Sequence, residues 1–157
     1  MSSRQTKTLF FLRIVIAWIF IYAGYAKVIT YFTDAPDWSA TSFLTHVSGP
    51  FAQTFNSLAS NKMIDYLNAY GALAIGLGLL TGTLFRAAAF FGCLLMGLYW
   101  LAGFPPEHSL LIDEHIVYIS VLLVLSVFAA GRTWGLDTWI EKLEFIKKYP
   151  GLRRFLG

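Results

Sequence analysis

Four apolar runs, each bounded by polar or turn residues, set the frame of this chain. They cover about residues 8–29, 64–82, 84–104 and 112–130. Crossing a bilayer as a helix takes about 20 mostly apolar residues, and each run approaches that length. The turn Thr81-Gly82-Thr83 between the second and third runs is so short that those helices must be antiparallel neighbours. Pro105-Pro106 closes the third run, because proline cannot continue helical hydrogen bonding. In the first run Arg13, Ala17, Phe20, Gly24 and Lys27 recur at steps of four, three, four and three, forming one stripe along the helix. A stripe with small residues and a cation at each end should face the bundle rather than lipid. Asn68, Gly71, Ile75, Gly78 and Gly82 make a second stripe of little bulk in the second run. Close backbone approach between the first two spans follows.

The segments between the runs carry their own patterns. Residues 31–62 form a long loop rich in aromatics, with Pro36, Trp38, Pro50, Phe51, Phe55 and Leu58. It is too aromatic to stay solvated, which predicts short interfacial helices lying over the mouth of the bundle. Across about residues 136–149, Leu136, Trp139, Ile140, Leu143 and Ile146 share one face, the pattern of an amphipathic helix on a membrane surface. A tail that binds a partner is the sharper alternative. The expected fold is all-α: a single integral membrane domain over 1–157, a four-helix bundle with loop helices and a C-terminal amphipathic helix.

Composition strengthens this picture. Hydrophobic residues make up 57% of the 157 and charged residues 13%, with mean hydropathy +0.60. Soluble domains carry about 25% charged residues. The lipid bilayer is therefore the first partner, and nothing points to nucleic acid. Cys93 is the single cysteine, so an intramolecular disulfide and CxxC chemistry are both excluded. The first run is too long for a signal h-region and reads as the first span. Charge then orients the bundle. With four spans, Arg4, Lys7, Arg13, Arg86, Arg132, Lys142, Lys147, Lys148, Arg153 and Arg154 share the side of both termini, leaving Lys27 and Lys62 opposite. The positive-inside rule makes the terminal side cytoplasmic, in a cell membrane. Asp34, Asp37, Asp65, Glu107, Asp113 and Glu114 gather on the other face.

The candidate chemistry sits at that outer face. Lys27 ends the first span, Asp65 begins the second, and Asp113-Glu114-His115 begin the fourth. A desolvated lysine calls for an acid partner, so Lys27 is expected to meet one of these carboxylates. In a pocket under the loop, Lys27 would hold an anion or polarised oxygen, with Asp65 and Asp113 beside the substrate. Glu114 and His115 would move protons near neutral pH. The structural alternatives are an ion pair that ties two spans together, a snorkelling lysine, and acids that only complement a helix dipole. His108, Asp113, Glu114 and His115 are metal-ligand types, but their spacing matches no strong template and no metal is assigned. Arg86 and Arg132 mark the headgroup level, with Arg13 snorkelling there or pairing internally. Trp134, Trp139, Tyr99 and Trp100 read as belt residues, and a quinone pocket would use the same types.

These residues also carry a family resemblance. Leu12-Arg13, then Gly24-Tyr25-Ala26-Lys27, the glycine turn before Arg86, and the closing Gly131-Arg132-Thr133-Trp134-Gly135-Leu136-Asp137 resemble the DoxX family over about residues 9–142. Phe104-Pro105-Pro106-Glu107-His108 and Ile112-Asp113-Glu114-His115 look like its DoxD-like branch, the membrane subunits of thiosulfate:quinone oxidoreductase. The resemblance implies a four-helix membrane bundle, a second subunit, and electron delivery from thiosulfate to quinone as the tentative cofactor. On that expectation Lys27, Glu114 and His115 are catalytic, and Arg13 and Arg86 support the bundle or a quinone headgroup. The chain shows no haem, flavin or iron–sulfur motif. The alternatives are a non-catalytic anchor subunit of a redox complex and a small-molecule or lipid carrier.

Overall fold

The computed structural model describes residues 2–106 and 110–157; Glu107 and His108 of the reading above lie outside the described residues. Every element described is helical. Helix α1 spans Ser3–Val28 and continues as a 3-10 turn over Ile29–Phe32. Two short helices, α2 (Thr41–His46) and α3 (Ala52–Asn56), occupy the long loop. Then come α4 (Lys62–Thr81), α5 (Phe85–Ala102) and α6 (Glu114–Val127). Helices α1, α4 and α5 are long and apolar enough to cross a membrane. The fourth run yields only 14 helical residues, about 21 Å of rise. A 3-10 turn at Ala130–Arg132 follows it.

The stripe read along α1 is the buried one. Arg13, Ala17, Phe20 and Gly24 are all buried, and Ile16 joins them. Helix α1 packs chiefly on α4 and α5 on α6, with Phe20, Ile75, Leu79, Phe85, Leu122 and Leu125 in the shared core. Close approach of α1 and α4 is real, but α4 is rotated from the expected stripe. Its buried face is Asp65, Ala69, Ala72, Ile75, Gly76 and Leu79. Gly76 meets Ile21, whereas Gly71 touches nothing across the interface. Gly71 and Gly78 instead border a groove of about 790 Å³ between α4 and α5, walled by Ala74, Ala87, Phe91 and Leu98. Small residues marked two faces of α4, and the alanines made the tighter one.

The turn between α4 and α5 closes on Gly82, whose φ of 66° suits a residue without Cβ. The C-terminal segment differs most from expectation. It breaks into α7 (Asp137–Ile140), α8 (Glu144–Lys148) and a 3-10 turn (Pro150–Phe155). Two backbone bonds tie the start of this segment to the turn between α4 and α5: Leu136 N donates to Thr81 O at 3.0 Å and Asp137 N to Gly82 O at 2.8 Å. They draw the chain inward where a continuous surface helix would run past. Ile146 and Leu156 are buried, but Leu136, Trp139 and Leu143 stay exposed.

Candidate functional site

At the end of α1, Lys27 lies half-buried with its Nζ on two neutral oxygens. It donates to Asn68 Oδ1 of α4 at 2.6 Å and to Tyr99 OH of α5 at 3.1 Å. Tyr99 OH also donates to Asn68 Oδ1 at 2.8 Å, so three helices meet in one hydrogen-bonded triangle. Trp38 roofs it, with Nζ 4.6 Å from the ring centroid, a cation–π contact. The roof is fixed locally: Trp38 N donates to Thr30 Oγ1 at 2.8 Å and Thr30 Oγ1 to Lys27 O at 2.8 Å. Sequence reasoning had read Tyr99 as a belt residue and Trp38 as a loop aromatic.

The expected acid partner of Lys27 is absent among the described residues; its ion pair with a carboxylate does not form. Asp65 turns elsewhere. Its Oδ1 accepts from Ala40 N at 2.8 Å, which anchors the loop just ahead of α2. The anchoring donor is a backbone N–H, a group that side-chain patterning cannot reveal.

Asp113 caps α6, its Oδ1 accepting from His115 N at 3.0 Å and Ile116 N at 3.3 Å. Its Oδ2 lies 2.8 Å from His115 Nδ1. A carboxylate only accepts, so Nδ1 carries the proton, and Nε2 has no hydrogen-bond partner among the described residues. The His115 ring stands edge-on to Tyr99, with centroids 5.8 Å apart. Lys27, Asn68, Tyr99, His115 and Asp113 thus form one cluster, with exposed Glu114 at its rim. Ligand atoms of Asp113, Glu114 and His115 fall within 4.8 Å of one another, yet the first and third are already bonded to each other.

Asp113 stands one residue ahead of α6. Burial alone would raise its pKa; the hydrogen bond from His115 and the N–H of Ile116 outweigh that and hold it below the ordinary value. A depressed carboxyl stabilises the fold above its unfolded pKa, and that contribution is lost as pH falls through the folded value. Melting curves of wild type and Asp113→Asn in detergent are therefore expected to differ at neutral pH and to converge in acid. A gap that persists unchanged in acid would assign the difference to something other than this charge.

Arg13 and Arg86 lie toward the other end of the bundle. Fourteen residues separate Arg13 from Lys27 on α1, about 21 Å. Arg13 is 1% exposed. Its Nη atoms donate to the carbonyls of Ala130, Thr133 (2.8 Å) and Trp134 (3.5 Å). It therefore fastens α1 to the segment after α6 rather than snorkelling. Arg86 is exposed. Beside Arg13, wholly buried Asp137 accepts from the backbone N–H groups of Leu84 (2.8 Å), Phe85 (3.0 Å) and Gly157 (2.9 Å). Although it begins α7, it caps α5.

These features define a class: a helical membrane protein with a polar cluster at one end of its bundle and a buried arginine staple at the other. Residues 8–103 match the DoxX family, and the chain belongs to it. The match holds Arg13, Lys27, Asn68 and Tyr99, and ends before Asp113. No solved structure matches the chain.

Proposed function

We propose that this protein is the membrane subunit of a quinone-linked oxidoreductase that acts on thiosulfate or a similar small sulfur anion. The observation that carries the reading is Lys27: a half-buried cation held by neutral oxygens, with no carboxylate paired to it among the described residues. Such a cation can receive an anion or polarise an oxygen. In this reading the remaining N–H of Lys27 donates to the substrate or to a quinone carbonyl under the Trp38 roof, while Tyr99, whose proton goes to Asn68, holds the ammonium in place. His115, oriented by Asp113, moves protons, and Glu114 passes them to solvent. A bound quinone would supply the electron acceptor. The Lys27 end offers free donor chemistry for its oxygens, whereas the Nη donors of Arg13 are already engaged by carbonyls. The basic side of the termini faces the cytoplasm in the cell membrane. A second subunit brings the electron-carrying cofactor.

The test is thiosulfate-dependent reduction of a soluble quinone analogue by the purified protein together with whatever subunit co-purifies. Lys27→Met is expected to lower kcat/KM about 10- to 100-fold at an unchanged melting temperature. His115→Ala should act in the same direction. Full activity in Lys27→Met, or no turnover in the intact complex, would overturn the reading. Exposed Trp139, Leu143 and Phe145 on the C-terminal segment favour a second reading, a non-catalytic anchor docking a redox partner there. In that case a soluble subunit co-purifies, and Lys27→Met leaves its activity intact.

A further inference from the structure

Behind Trp38 lies a second cavity, of about 250 Å³, between the long loop and the start of α4. Asp37, Asp65, Lys62, Tyr31, Tyr66 and Trp38 are among its walls. Asp65 is 8% exposed, and only its Oδ1 has a partner among the described residues. Its second oxygen has no protein donor among the described residues, so a donor from a ligand in the cavity can reach it. Lys62 borders the same space three residues earlier on α4. Among the described residues it forms no ion pair with Asp65 or Asp37. The cavity thus holds two carboxylates and an ammonium apart instead of letting them neutralise one another. Tyr31 and Tyr66 stand edge to face, with centroids 5.2 Å apart, and their π faces suit a cation.

We propose that this cavity binds a compact zwitterion. Its primary ammonium sits on the free oxygen of Asp65 among the tyrosines, and its acidic end reaches Lys62. The volume holds about eight waters at ~30 Å³ each, below the ~300 Å³ of the smallest drug-sized pockets. The ligand is therefore small, of the size and charge layout of phosphoethanolamine. The same chemistry is available free in solution or as the headgroup of phosphatidylethanolamine. Trp38 walls both this cavity and the Lys27 cluster, so occupancy should be visible in its fluorescence.

The full chain in detergent would be titrated with phosphoethanolamine and with ethanolamine, with Trp38→Phe identifying the signal. In parallel, the chain in nanodiscs of phosphatidylethanolamine or phosphatidylcholine would be examined by native mass spectrometry for retained lipid. Asp65→Asn keeps an oxygen for Ala40 N–H but loses the charge, and should weaken phosphoethanolamine binding about tenfold or more. Exposed Lys62→Gln should bring phosphoethanolamine down to the affinity of ethanolamine and leave ethanolamine unchanged. Saturable binding of the soluble probe assigns a free ligand. Selective retention of phosphatidylethanolamine alone, lost in Lys62→Gln, assigns the headgroup. No binding of phosphoethanolamine together with no selective retention of phosphatidylethanolamine, or equal binding by wild type and both variants, would overturn the proposal.

Discussion

Asp137→Ala is expected to destabilise the fold by about 3–5 kcal/mol, read as a large drop in melting temperature in detergent. The carboxylate is fully enclosed and accepts three backbone N–H groups. Two of them belong to Leu84 and Phe85, at the N-terminus of α5, where no neighbour in the helix supplies an acceptor. An anion there also complements the helix dipole. Leu84 sits at φ 48°, a left-handed conformation unusual for leucine. The bond from its N–H to Asp137 helps hold it there. Removing the carboxylate orphans the donors and leaves buried Arg13 without its nearest countercharge. Asp137→Asn should fall between, since its single oxygen can serve only part of the set. Arg13→Met should be damaging through the carbonyls it leaves behind, and the double variant should cost less than the two losses added, because the groups share one network. A Tm for Asp137→Ala equal to wild type would show that α5 is held by packing alone.

Arg13 and Asp137 also show how far the sequence could be read. The burial of Arg13 was legible, because a cation in a stripe of small residues has only the bundle interior to face. Its partners were not, since they are backbone carbonyls brought round by Gly131 and Gly135. At Gly135 any side chain would collide with the carbonyl of Gly131. The shared depth of Lys27, Asp65 and His115 was legible from helix register. The pairing was not. Asp65 and Asn68 are three residues apart on α4, and a backbone N–H from the loop claims the acid while the amide meets the lysine. The amphipathic pattern over 136–149 was genuine in composition, but the chain leaves the helical path after Ile140, and of that face only Ile146 is buried. Arg13 and Asp65 took backbone partners that side-chain patterning does not encode, whereas Lys27 took the side chains of Asn68 and Tyr99.

Gly24→Val is expected to cost about 3 kcal/mol or more, because α1 and α4 touch through their backbones at this point. A Cβ on residue 24 would lie 2.6 Å from Leu73 Cα, inside any permitted contact. The obstacle is main chain, so Leu73→Ala should not rescue the variant. A clash relieved by trimming Leu73 would point to side-chain crowding and refute the close-backbone account. Gly71→Ala is the control. Its Cβ meets nothing within 4 Å, and alanine favours helix over glycine by about 1 kcal/mol, so stability should hold or rise slightly. The consequence of Gly24→Val reaches the site as well. Lys27 lies three residues further along α1, and its bond to Asn68 of α4 exists only while these helices are this close. Forcing them apart should therefore loosen the Lys27–Asn68–Tyr99 triangle, and any chaotrope-free condition that restores the fold should still show the site impaired. By allowing that approach, Gly24 brings the lysine within reach of its neutral partners.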